Sequence, residues 1–175
     1  MRLPCFNAPR LGLIKVILIR KGYSMSEELD PSCATPAYVC GRLFACLAYI
    51  QAFERNPSKH GFGANAAMVN GYFGSASTAP RTVFGSLLRQ TQFRLNKLKE
   101  SHARFVTSRN VEMEQCSQRL GNAENWHATF PPMLNAIEQG QFALGCYHQR
   151  AAYRAAAVER KARAAENSES SPEGK

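Results

Sequence analysis

Acidic side chains are scarce in this chain: 13 aspartates and glutamates stand against 22 lysines and arginines in 175 residues. Few carboxylates are left for acid–base or metal chemistry, and Glu112 and Glu114, two apart, point to different helical faces rather than to one metal. The phosphate-binding loop is missing, because Gly61, Gly63, Gly71 and Gly74 lack both the G-x-x-x-x-G-K spacing and a preceding strand. Neither H-E-x-x-H nor G-x-S-x-G occurs. The most chemically loaded tetrapeptide is Tyr147-His148-Gln149-Arg150, but consecutive helical residues cannot converge on one substrate atom. An enzyme is therefore not expected, and neither is a cofactor or a bound metal. No C-x-x-C pair exists, and the six cysteines (Cys5, Cys33, Cys40, Cys46, Cys116 and Cys146) stand at no zinc-finger spacing from the four histidines. They read as reduced, mostly buried thiols. Long apolar runs are absent too. Residues 11–19 come nearest, but Lys15 interrupts them, Arg20-Lys21 closes them, and no small-residue cleavage site follows. A signal peptide and a membrane span are both unexpected, and the cytoplasm is the expected location.

What the chain does have is positive charge, unevenly placed. Residues 61–110 hold seven basic residues and one acid, whereas residues 111–140 hold one basic residue and four acids. Phosphate backbones reward such clustering through counterion release, and small neutral substrates do not. The stretch FGSASTAPRTVFGSLLRQTQFRLNKLKESHARF (73–105) concentrates it. Thr78 is a candidate N-cap and Pro80 already holds a helical φ. Phe84, Leu88, Thr91, Leu95, Leu98, His102 and Phe105 then alternate at fours and threes, which keeps one seam toward a packing partner. Off the seam lie Arg81, Arg89, Arg94, Lys97, Lys99 and Arg104 against Glu100 alone. A solvated face normally mixes both signs, so this one points to a polyanion, with a merely basic surface helix as the alternative.

The rest reads as helices separated by Pro, Gly and Ser. A first helix is expected from Asn7 and Pro9 to about Lys21, and a second from Thr35-Pro36 to about Arg55, ended by Asn56-Pro57, with Val39, Leu43, Cys46, Ile50 and Phe53 as its seam. A short helix over about 64–73 is closed by Gly74, and the basic helix runs to about Phe105, with a break near 108–110. Met113, Cys116 and Leu120 mark a further helix stopped by Gly121. Phe130-Pro131-Pro132 forms an elbow, and Asn135 with Glu138 gives a capping box for the last helix. That helix carries Phe142, Cys146, Gln149, Tyr153 and Ala156, and its eight alanines in residues 151–165 favour propagation. The expectation is an all-α helical bundle of about five or six helices: an N-terminal helix and linker (1–24), the bundle (25–166) and a disordered tail (167–175).

Two surfaces are candidates for nucleic-acid backbone. One is Arg81, Arg89, Arg94 and Lys97 on the basic helix. The other is Arg150 and Arg154 on the last helix, in line with Lys161 and flanked by Tyr147 as a stacking surface. Glu159 and Glu166 nearby keep a plain solvated face as the alternative there. Tyr72, Phe73 and Trp126 sit in or near loops, where packing outweighs base stacking. No RNP pattern or zinc finger is present, so binding would be to backbone, shape or single strands.

Four segments, RLPCFNAPRLGLIKVILIRK (2–21), LDPSCATPAYVCGRLFACLAYIQ (29–51), YFGSASTAPRTVFGSLLRQTQFRLNKL (72–98) and FPPMLNAIEQGQFALGCYHQR (130–150), together resemble the C-terminal region of the large subunit of the type I-C CRISPR interference complex, Cascade. In that family this region is also made as a separate small subunit by internal translation initiation. The resemblance thus implies such a subunit or a truncated gene, starting at Met1 or at Met25. It also implies the partners: the guide RNA–target DNA hybrid, the displaced single-stranded DNA, other complex subunits and copies of itself. Cys146 stands where the family's G-Y-Y-H-Q-R pattern has tyrosine, removing a ring near the basic stripe. Recognition of the protospacer-adjacent motif belongs to the family's N-terminal part and is not carried over. The function implied is a non-catalytic subunit that stabilises the R-loop. The alternative is a structural adaptor docking neighbouring subunits through its seams. A free-standing DNA-binding regulator would need a helix-turn-helix head that is not evident.

Overall fold

The computed structural model of the protein describes residues 29–30, 32–57, 67–121 and 129–169. They form six helices: α1 (Pro36–Arg55), α2 (Ala67–Gly71), α3 (Phe73–Thr78), α4 (Pro80–Leu98), α5 (Ala103–Leu120) and α6 (Ala136–Glu169). No strand occurs among the described residues, so the architecture is all-α as expected. The expected first helix, Cys5, Gly61, Gly63 and Trp126 lie outside the described residues. Among the described residues no helix is long and apolar enough to cross a membrane.

The organising element is α1. Its sequence, PAYVCGRLFACLAYIQAFER, is apolar on every face, and a helix of that kind has to be covered all round. Every residue from Ala37 to Phe53 is buried, so the single seam expected here is instead a core helix. Its two interior polar groups are satisfied: Arg42 Nε donates to Gln149 Oε1 at 3.1 Å, and Gln51 Oε1 accepts from the Val69 amide at 2.9 Å. Thr35 caps with its backbone only, its carbonyl accepting from the Val39 amide at 3.0 Å.

Two glycines set how closely α6 lies on α1. A methyl group at Gly41 would stand 1.9 Å from the Phe142 carbonyl oxygen, and one at Gly145 would stand 2.1 Å from the Tyr38 carbonyl oxygen. Each glycine thus faces the other helix's backbone. Beside this crossing, the Phe44 ring meets Phe73 at 5.6 Å, Phe142 at 5.7 Å and Phe84 at 6.5 Å, drawing α3, α6 and α4 onto α1.

Several expected boundaries are corrected. The segment expected as one short helix closed by Gly74 is split, with Tyr72 between α2 and α3 and Gly74 inside α3. Thr78 ends α3 and does not cap α4: its hydroxyl donates to the Gly74 carbonyl at 2.8 Å, and Ala79 is the N-cap of α4. The Thr78 carbonyl instead accepts from the Leu134 amide at 2.8 Å, pinning the 130–134 elbow to the α3–α4 junction. The basic helix stops at Leu98, not Phe105, and the break falls at 99–102, leaving α5 continuous through 108–110. No glycine or proline causes that break. The turn folds His102 and Phe105 back onto the end of α1, where Phe105 stacks on Phe53 at 3.8 Å and the His102 ring meets Phe53 at 5.1 Å. Tertiary packing overrides local propensity there.

The other ends are local in origin. Gly121, at φ 103°, stops α5. The capping box is formed: Asn135 Oδ1 accepts from the amides of Ile137 and Glu138, both at 3.0 Å, and Glu138 Oε2 accepts from the Asn135 amide at 2.7 Å. The last helix continues through Glu169, past the position where the tail was expected to begin.

Candidate nucleic-acid interface

Of the expected basic residues, α4 brings three together. Arg89, Arg94 and Lys97 line a shallow groove of about 440 Å³ with Gln90, Phe93 and Glu54, the last from the final turns of α1. The seam of α4 explains the arrangement. Phe84, Thr91, Leu95 and Leu98 are buried against the bundle, which turns Arg89, Phe93 and Lys97, spaced by four, to the outside. Phe93 is 63% exposed, and Lys97 Nζ lies 4.7 Å from the centre of its ring. A large exposed ring between two cations is the local pattern of single-strand binding, where bases stack and phosphates pair with flanking charges.

Glu54 tempers the charge. Its carboxylate receives Arg94 Nε at 3.1 Å and lies 3.6 Å from Lys97 Nζ. Arg94 is the more committed of the two, its side chain only 12% exposed against 55% for Lys97. Arg89 is exposed and forms no ion pair among the described residues. The groove therefore carries three cations against one carboxylate, with Arg89 and Lys97 the accessible pair.

The remaining expected residues lie elsewhere. At the other end of α4, Arg81 is tied to the elbow: its amide donates to the Pro131 carbonyl at 3.2 Å and its Nε to the Phe130 carbonyl at 3.0 Å. On α6, Arg150 Nη2 donates to Asn70 Oδ1 at 2.7 Å, while Arg154 is exposed one turn on, near the 56% exposed Tyr147. The stripe on α6 is thus a second basic face on a different helix. Cys146 does not belong to it. This residue is buried at the crossing with α1, which pushes its thiol up from the ordinary range, so the tyrosine-to-cysteine departure alters the core and not the stripe.

The Tyr147–Arg150 tetrapeptide fans out in four directions. Between exposed Tyr147 and half-buried Arg150, His148 Nδ1 lies 3.0 Å from the Tyr38 hydroxyl, and Gln149 bridges Arg42 to Glu112. Glu112 points inward and Glu114 is exposed, so the two carboxylates do diverge. The expected docking seam of α4 is occupied by the protein's own core, with Leu95 1% exposed. Sequence reading passed over Phe93, although its spacing of four from Arg89 and Lys97 was available. Glu54 and Gln90 enter only through the packing of α1 on α4.

Comparison with known proteins gives one family. The model of a family described as CRISPR-associated protein (Cas_Csd1) matches residues 4–154. No curated protein gives a significant match. With most of its length matched, the basic helical chain belongs to the Cas_Csd1 family of CRISPR-associated proteins.

Proposed function

We propose that the chain is a non-catalytic, small-subunit-like component of a type I-C CRISPR interference complex that holds nucleic-acid backbone and stabilises the R-loop. The observation that carries this reading is the exposed Arg89–Phe93–Lys97 row on α4. Its ligand is the displaced single-stranded DNA, since an unstacked base can lie on Phe93 while neighbouring phosphates meet Arg89 and Lys97. The guide RNA–target DNA hybrid hides its bases and would engage only the cations, here and on the Arg150–Arg154 face. Guide pairing reads sequence in such a complex, so the protein needs only backbone and ring contacts.

Titration of salt against the binding of labelled single-stranded DNA, with duplex and guide–target hybrid alongside, tests this. Each phosphate neutralised on a single strand contributes a slope of about −0.7, so the accessible pair Arg89 and Lys97 gives about −1.4 in log K against log salt, and engagement of Arg150 and Arg154 as well brings it to about −3. A slope of zero, or equal affinity for duplex and single strand, would remove the proposed role.

The second reading is a structural adaptor. Its seams are filled, but Met133 and Ile137, 72% and 41% exposed at the start of α6, offer a small apolar contact surface. Salt-insensitive association with neighbouring subunits, lost on Met133→Asp, is what that reading requires.

A further inference from the structure

A second concave surface lies away from the α4 groove, where α1, α5 and α6 meet. It encloses about 400 Å³. Its floor is two ring stacks, Phe53 on Phe105 at 3.8 Å and Tyr49 on Tyr153 at 4.5 Å. The Arg109 guanidinium extends this floor, 4.8 Å from the Tyr153 ring, 5.5 Å from Tyr49 and 5.7 Å from Phe105. Arg109 is already neutralised by Glu112, 2.8 Å from its Nη1, and its Nη2 donates to Ser108 Oγ at 2.8 Å. It acts there as a flat surface more than as a free charge. The free charge is on the rim: Arg104 from α5, and Arg160 and Arg163 from α6. Glu159 is the rim's acid. Its contact with Arg163 is loose, at 3.8 Å between side chains 67% and 77% exposed, and worth little in water. Arg160 uses only its Nε, which donates to the Ala156 carbonyl at 3.1 Å. The rim is therefore net positive, and its guanidinium donors suit phosphate oxygens.

We infer that this cleft binds one nucleoside-phosphate unit, with the base against the Phe105–Arg109 side of the floor and the phosphate on Arg104, Arg160 and Arg163. The volume lies in the range of small-molecule pockets and is lined by residues of three helices, which fits one compact unit better than an extended acidic peptide. An aromatic floor beneath a cationic rim matches a ligand that is planar at one end and doubly anionic at the other. The unit's source is either a free nucleotide or a nucleotide of a bound strand. The inference does not rest on the α4 row, which is a different surface.

The test is calorimetric titration of the full chain with adenosine 5′-monophosphate, with inorganic phosphate and a hexaglutamate peptide as comparison ligands. Saturable one-to-one binding of the nucleotide is expected, weakened about tenfold or more by Arg160→Glu with Arg163→Glu. Arg160 and Arg163 are exposed, so an unaltered melting curve certifies the fold of the double variant. Displacement of the nucleotide by a phosphorylated oligonucleotide assigns the site to a strand, and retention assigns it to a free nucleotide; both support the site. No saturable binding at millimolar nucleotide, phosphate or hexaglutamate binding as tightly as the nucleotide, or indifference to the double variant would each overturn it.

Discussion

Arg89 and Arg94 lie on the same helix yet play different parts. The first is an exposed charge, and the second is held by Glu54 at 3.1 Å with its side chain 12% exposed. Reversing the accessible pair, Arg89→Glu with Lys97→Glu, should therefore weaken single-strand binding by about a hundredfold if each lost charged contact is worth about 1.5 kcal/mol, while the far-ultraviolet helical signal is unchanged. Loss of that signal would mean these residues hold the fold. Arg81 gives the opposite pattern. Because it bonds the elbow carbonyl of Phe130, Arg81→Ala is expected to lower stability by about 1 kcal/mol in urea and leave the salt slope of binding untouched. Titration adds a third expectation. Burial raises the thiols of Cys40, Cys46, Cys116 and Cys146, with Cys116 pushed up to about 11 by desolvation first, while Arg42 and Arg119 pull it down and Glu112 pushes it up. In the unfolded chain a thiol ionises near about 8.5, so the folded state is favoured fully below that value and loses this advantage as pH climbs through the folded one. Urea stability should be flat across neutral pH and fall from about pH 9 upward. A stability that rises over that interval would contradict the burial of these groups.

At the scale of elements, the contact between α1 and α6 is the most demanding feature. Gly145→Ala would place a methyl 2.1 Å from the Tyr38 carbonyl, backbone against backbone, so neither side can yield by rotating a side chain. The expected cost is about 1–3 kcal/mol or more, read as a lower urea midpoint, whereas alanine at the unobstructed Gly140 should be tolerated. What was legible beforehand follows the same division between local and distant causes. The bounds of α1 were legible in Thr35-Pro36 and Asn56-Pro57, the end of α5 in Gly121, and the start of α6 in Asn135 and Glu138, since each is decided within a turn of chain. The break at 99–102 was not, because it is decided by Phe105 and His102 reaching Phe53 from a distant part of the sequence. Nor was the complete burial of α1 legible from a search for one apolar seam, although the apolar residues on its other faces pointed to it. The cations of the candidate site could be named from charge clustering. Their grouping could not, because it depends on where α1 delivers Glu54.

For the whole molecule, the consequence is a bundle organised around one buried helix, with positive charge left on separate outer faces of α4 and α6. This distribution of charge is what the proposed grip on a polyanion requires. On the proposed reading α4 holds a single strand by stacking as well as by charge, and these two contributions respond differently to salt. The measurement that separates them is the affinity for single-stranded DNA across a salt series, for the natural chain and for Phe93→Ala. Base–aromatic stacking is worth about 1–3 kcal/mol and releases no counterions, so Phe93→Ala should lower affinity by about fivefold or more at every salt concentration and leave the slope of the natural chain unchanged. An affinity that does not respond to Phe93→Ala, or a slope of zero in the natural chain, would contradict the account.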